Sequence, residues 1–213
     1  MIVDDRIVTF INSLDTENTE LLSKIEEYAL SENVPIIRPQ TQSLMKTLLT
    51  MKRPKRILEI GTAIGFSAIL MSEYSSADCK IITIENYEKR IPIALKNIKE
   101  AGKEDDILLI EGDANDILKE LEGEFDFVFM DAAKAQYINF FPHVMRLLAN
   151  GGVLVSDNVL QDGDIIESRY AVERRNRCIH SRMREYLYEI KHNKNLETTI
   201  LSVGDGVAIS VKK

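Results

Sequence analysis

Cysteine is scarce: only Cys79 and Cys178 occur in 213 residues. They match no metal-ligand spacing and are too few for a disulfide framework. Both are expected as free thiols in a reducing cytoplasm. Long apolar runs are missing too, because charge interrupts every extended stretch, so no membrane span is expected. The start, MIVDDRIVTF, has neither the basic opening nor the apolar run of a signal peptide, and a cytoplasmic location is the expectation. No Gly/Ser linker, repeat or low-complexity segment divides the chain, so one domain over 1–213 is expected. Positive charge is in deficit, with 27 Lys and Arg against 34 Asp and Glu and a net charge of −7. That balance argues against a general nucleic-acid binder, although basic residues cluster near position 175.

What is present is ordered. Residues 1–51 read as a helical cap. Asp15 and Thr16 are N-cap candidates, and Leu21, Leu22, Ile25, Tyr28 and Ala29 recur at helical spacing. A further helix is expected over 41–50. From 52 onward strands and helices alternate, with strands at 56–60, 80–85, 107–110, 125–130 and 152–156. Helices are expected at 66–74, 88–100, 114–121 and 135–148. Such alternation predicts an α/β fold with a mostly parallel sheet. A long helix over 171–192 follows, then two short runs around Gly204–Asp205–Gly206 that read as an antiparallel hairpin.

Chemistry-bearing side chains recur at the strand ends. EIGTAIGFS (Glu59–Ser67) is a glycine-bearing strand-to-helix turn. Gly61 and Gly65 are present, but Thr62 stands where a dinucleotide fingerprint has its second glycine. The turn therefore suits a cofactor without a pyrophosphate, and Glu59 is placed to address an ammonium group. Glu85 ends the second strand about 24 residues after Gly61, a spacing that suits a carboxylate on ribose hydroxyls. Asp113 ends the third and is either a helix N-cap or an adenine contact. FDFVFMD closes on Asp131 and GGVLVSDN on Asp157 and Asn158. Three oxygen donors at neighbouring strand ends, with no thiolate or imidazole, suit a hard cation such as Mg²⁺ rather than zinc. Lys134, three residues beyond Asp131, is a candidate general base or a fixed positive charge.

EIGTAIGFS, ITIEN, DAAKAQY and SDNVL together resemble the catechol and caffeoyl-CoA O-methyltransferase superfamily over essentially the whole chain. The resemblance implies a Rossmann-like sandwich with a mostly parallel seven-stranded sheet ending in an antiparallel hairpin. It implies methyl transfer from S-adenosyl-L-methionine (SAM) to a metal-held hydroxyl. Asp131, Asp157 and Asn158 would bind the cation. Glu59, Gly61, Thr62, Gly65, Ser67, Glu85, Asp113, Ala114 and Asp131 would surround SAM, and Arg38 would reach the cofactor or the substrate at the mouth. Lys134 occupies the family's catalytic-lysine position, beside Asp131, and a homodimer is implied.

RYAVERRNRCIHSRMR (169–184) carries six arginines against one acid. Val172, Ile179, Met183, Tyr186 and Ile190 would form one apolar stripe of the long helix, with the arginines elsewhere on its circumference. Two readings stand: a solvated amphipathic face, or a phosphate-binding surface in which Arg174, Arg175 and Arg177 meet RNA. The wording of this region, with GDGVAISVKK, is similar to bacterial tRNA 5-hydroxyuridine methyltransferases. That branch implies a tRNA anticodon loop as partner. Small catechols or hydroxycinnamoyl thioesters are the alternative substrates.

Overall fold

The computed structural model describes residues 3–213, so Met1 and Ile2 of the expected domain lie outside it. Three helices come first: α1 (Asp5–Asn12), α2 (Glu20–Ser31) and α3 (Pro39–Lys52). Then β1 (Arg56–Ile60), α4 (Phe66–Tyr74), β2 (Lys80–Glu85), α5 (Ile91–Glu100), β3 (Ile107–Glu111), α6 (Ala114–Glu120) and β4 (Phe125–Met130) alternate. A single 3-10 turn at Lys134–Gln136 leads into α7 (Tyr137–Leu147), followed by β5 (Leu148–Ser156). The chain closes with α8 (Arg177–His192), β6 (Leu196–Leu201) and β7 (Val207–Lys212).

The seven strands lie in the order β3-β2-β1-β4-β5-β7-β6. β1 to β5 pair in parallel, while β7 runs antiparallel to both β5 and β6. Successive strand residues face opposite sides, and both sides are buried. Ile57, Phe127, Phe129 and Val155 pack against α2, α3 and α4. Leu58, Val128, Met130 and Leu154 pack against α6, α7 and α8. α2 and α3 share a core with the sheet and join α4 and α5 in one of its two helical layers.

Several expected boundaries shift. The residue ahead of α2 is Thr19, not Asp15 or Thr16, and Tyr28 is exposed rather than on the buried stripe. β5 begins at Leu148, whose buried side chain and pairing with Phe125 extend the strand through a bulge. The expected long helix starts only at Arg177; Arg174 and Arg175 sit in a 3-10 turn ahead of it. Its buried stripe is His180, Met183, Tyr186 and Ile190, so His180 takes the place expected for Ile179.

The strand order reverses between β1 and β4, and at such a switch point the strand ends open a crevice. Here the two ends nearly touch. Asp131 N–H donates to Ile60 O at 3.0 Å. Gly61 has φ +103°, and a Cβ on it would lie 2.1 Å from Asp131 O. Gly61→Ala is therefore expected to cost about 3 kcal/mol or more in urea unfolding, through both clash and backbone strain. Gly102→Ala, at φ +63° with nothing within 4 Å, should cost only about 1–2 kcal/mol.

Candidate active site

A cavity of about 700 Å³ lies over the carboxyl ends of the strands. Its wall includes Arg38, Gly61, Thr62, Ser67, Glu85, Asp113, Ala114, Asp131, Lys134, Asp157 and Asn158. Most of the sequence-predicted residues are thus in one place. Two cofactor candidates are not on the wall. Gly65, at φ +87°, lets α4 begin against Ala94 of α5. Glu59 is fully buried behind the turn, where its Oε2 accepts from Thr83 Oγ1 at 2.5 Å. Thr83 and Thr62 hydroxyls lie 2.5 Å apart, so Thr62 turns inward to a polar chain that ends on Glu59. Glu59 Oε1 has no hydrogen-bond partner among the described residues.

Glu85 is held for recognition. Its Oε2 accepts from Ala63 N–H at 2.7 Å, and Oε1 accepts from Asn86 and Tyr87 N–H at 2.9 Å each. Three of the carboxylate's roughly four acceptor sites are thus taken, and the free one is on Oε2. Ala63 takes a left-handed φ of 47° to make its bond. Asp113 is the N-cap of α6, accepting from Asn115 N–H at 2.8 Å, and it also faces the cavity. The N-cap reading of that acid is observed, and its side of the cavity is open to a ligand. The sequence did not single out Tyr87 or Arg90, which line the same end of the cavity. Arg90 sits 5.0 Å from the Tyr87 ring centroid.

At the other end stand the oxygen donors. Met130 pairs with Ser156 in register, so the next residues, Asp131 and Asp157, emerge side by side. Asp157 N–H donates to Met130 O at 3.0 Å, and its Oδ1 accepts from Asn158 N–H at 2.8 Å. Asn158 is left-handed, at φ 54°, which turns its amide to the cavity side. Lys134 Nζ is 2.5 Å from Asp131 Oδ1. Burial, then the neighbouring Asp131 charge, push the Asp157 carboxyl up to about 7. Among the described residues no three His, Cys, Asp or Glu side chains cluster as a metal site. A cation here would rest on two carboxylates and one amide, with further oxygens from water or substrate. That set fits a hard dication: it is all oxygen, and it holds a buried acid whose ionised form a cation would stabilise.

Arg38 reaches across the mouth, with Nη2 3.2 Å from both oxygens of Asp162 and 3.9 Å from Asp205 Oδ2. Its guanidinium pairs with these acids at the mouth of the cavity. The other arginines divide sharply. Arg182 Nη1 donates to Ala135 O at 3.0 Å and Arg184 Nη1 to Ile165 O at 2.9 Å. Arg177 donates to Val172 O at 3.2 Å and Tyr170 O at 3.3 Å. These three brace the loops beside the site, which corrects the assignment of Arg177 to a free surface. Arg174 is exposed, and Arg175 is held only by an exposed pair with Glu173 at 2.7 Å.

A switch-point crevice with a carboxylate at a strand end, in a mostly parallel sheet that finishes in the antiparallel β6–β7 hairpin, is the architecture of a Rossmann-like SAM methyltransferase. The comparisons agree. Residues 12–213 match the family model for O-methyltransferase, and the chain belongs to that family. It is 34% identical over 135 residues to a catechol O-methyltransferase of Niastella koreensis, covering 62% of this chain and 61% of that protein. It is 31% identical to caffeoyl-CoA O-methyltransferase 1 of Eucalyptus globulus, over 78% of this chain and 70% of that one. An SAH-bound methyltransferase structure from Podospora anserina superposes with a TM-score of 0.88 at 27% identity, covering 98% and 94% of the two chains. The protein is a SAM-dependent O-methyltransferase of the catechol and caffeoyl-CoA type. No helix among the described residues is long and apolar enough to cross a membrane.

Burial raises Glu59 from 4.5 to about 7, against the opposing pull of the Ser67 and Thr83 hydroxyls. The native state therefore keeps a proton that the unfolded chain releases, and stability falls as pH rises from about 4.5 to 7. Glu59→Gln removes this loss. Between pH 5 and pH 8 its stability relative to wild type, from cofactor-free urea melts, should improve by on the order of 3 kcal/mol. A pH-independent difference would refute the buried-acid account.

Proposed function

We propose that this enzyme uses a divalent cation, Mg²⁺ or a similar hard ion, on Asp131, Asp157 and Asn158. We further propose that its substrate is the 5-hydroxyl of 5-hydroxyuridine at the tRNA wobble position. The observation that carries the reading is the oxygen-donor set at one end of the SAM crevice, and an exposed arginine segment ahead of α8 adds to it. A dication there would draw a vicinal oxygen pair and favour the ionised hydroxyl. In 5-hydroxyuridine the O5 hydroxyl neighbours the O4 carbonyl, which is such a pair. Lys134 stands beside Asp131: as a neutral amine it would receive the hydroxyl proton, and as an ammonium it would stabilise the resulting anion. An O–CH₃ bond forms as the S–CH₃ bond breaks, and S-adenosylhomocysteine (SAH) remains. Positioning by Glu85, the Gly61 turn and the oxygen donors supplies much of the acceleration.

Two features support RNA. Arg169, Arg174 and Arg175 are exposed together on the segment that leads into α8. Tyr170 among them is 84% exposed, and an exposed aromatic beside arginines suits a splayed base and its phosphates. A small-molecule substrate is the second reading, favoured by the relatives' names. For assembly we propose a homodimer through α1. Ile7, Phe10 and Ile11 of α1, with Leu14 just beyond its end, are 49–68% exposed, and a helix of 8 residues is marginal alone. Phe10→Glu should lower the mass measured by light scattering from dimer to monomer; an unchanged mass would exclude α1.

Labelled methyl should pass from SAM to tRNA from cells lacking this gene, as 5-methoxyuridine, with Mg²⁺ and not with chelator. The double change Arg174→Glu, Arg175→Glu should lower kcat/KM on tRNA at least ~10-fold, about 1.4 kcal/mol, and leave catechol turnover unchanged. Label on catechol alone would move the enzyme to small-molecule chemistry.

A further inference from the structure

The two strand ends that carry Asp131 and Asp157 are joined by one buried phenol. Tyr137, the first residue of α7, is 0% exposed. Its hydroxyl lies 2.8 Å from Met130 O and 3.0 Å from Asp157 O, and it accepts from Lys134 Nζ at 3.3 Å. A single oxygen atom therefore touches the backbone just before Asp131, the backbone of Asp157, and the amine paired with Asp131. Its ring is fixed as well, packing edge-on against Tyr186 with centroids 5.5 Å apart at 83°. Tyr186 in turn bonds Ser156 Oγ through its own hydroxyl at 2.6 Å. Tyr186 is a natural comparison: it is the same buried residue type in the same aromatic pair, but it contacts the strand one residue short of Asp157.

We propose that Tyr137 is a positioning residue whose hydroxyl sets the separation of Asp131 and Asp157 and aims Lys134, preforming the oxygen-donor set for a divalent cation. The inference rests on the reading of Asp131, Asp157 and Asn158 as cation ligands. Partners that orient ligands without touching the ion commonly govern 10- to 100-fold of metal affinity. Tyr137→Phe keeps the ring and its contact with Tyr186. It also leaves the Asp157 N–H to Met130 O bond in place, so the fold should survive.

Mn²⁺ binding, read by electron paramagnetic resonance, and SAH binding, read by calorimetry, test this on wild type, Y137F and Y186F. The expected result is Mn²⁺ affinity at least ~10-fold weaker in Y137F and within about threefold of wild type in Y186F. SAH affinity should stay within about twofold in both. Y137F with wild-type Mn²⁺ affinity overturns the proposal. Equal weakening in Y186F, or a Y137F chain that does not fold, overturns it in favour of a general structural role. Wild type that binds no Mn²⁺ removes the cation reading itself, and this proposal with it.

Discussion

The close approach of β1 and β4 at the switch point is the constraint on which the rest depends. Asp131 N–H bonds Ile60 O, and the chain leaves β1 through a residue that has no room for a side chain. Glycine at 61 is thus required by the neighbouring strand before any ligand is considered. Once the two ends are this close, the Gly61 turn and Asp131 belong to one wall of the cavity.

A second theme is buried negative charge. Glu59, Glu85, Asp131 and Asp157 all sit at strand ends, and each is handled differently. Glu85 is neutralised in part by three backbone N–H groups. Asp131 has Lys134. Glu59 and Asp157 are left with raised proton affinity, chiefly by desolvation. The unbalanced acids lie behind the turn and between the oxygen donors, where a sulfonium amino acid and a cation would add positive charge.

Much of this was legible in the sequence because it is local. Strand-ending acids, the Gly61 turn and the hairpin at Gly204–Gly206 follow from patterns within ten residues. β1, α4, β2 and β4 fall where the apolar periodicity put them. The boundaries that moved, at α2, β5 and α8, did so because contacts distant in the chain extended or cut a local pattern. DAAKAQY was read for Asp131 and Lys134, yet its tyrosine carried no signal. A buried phenol has a role only through the carbonyls it reaches, and one of those is 20 residues away.

The sequence by itself determined the class of sheet, the order of acids along it and the residue types available for chemistry, since these depend on hydrophobic period and side-chain identity. Tertiary structure decided which of those groups face the cavity. It put Glu59 behind the wall, turned Arg177, Arg182 and Arg184 to backbone carbonyls, and left Arg174 and Tyr170 outside. Orientation of that kind is set by packing and by where unsatisfied backbone oxygens lie, and neither is written in any single stretch of the chain.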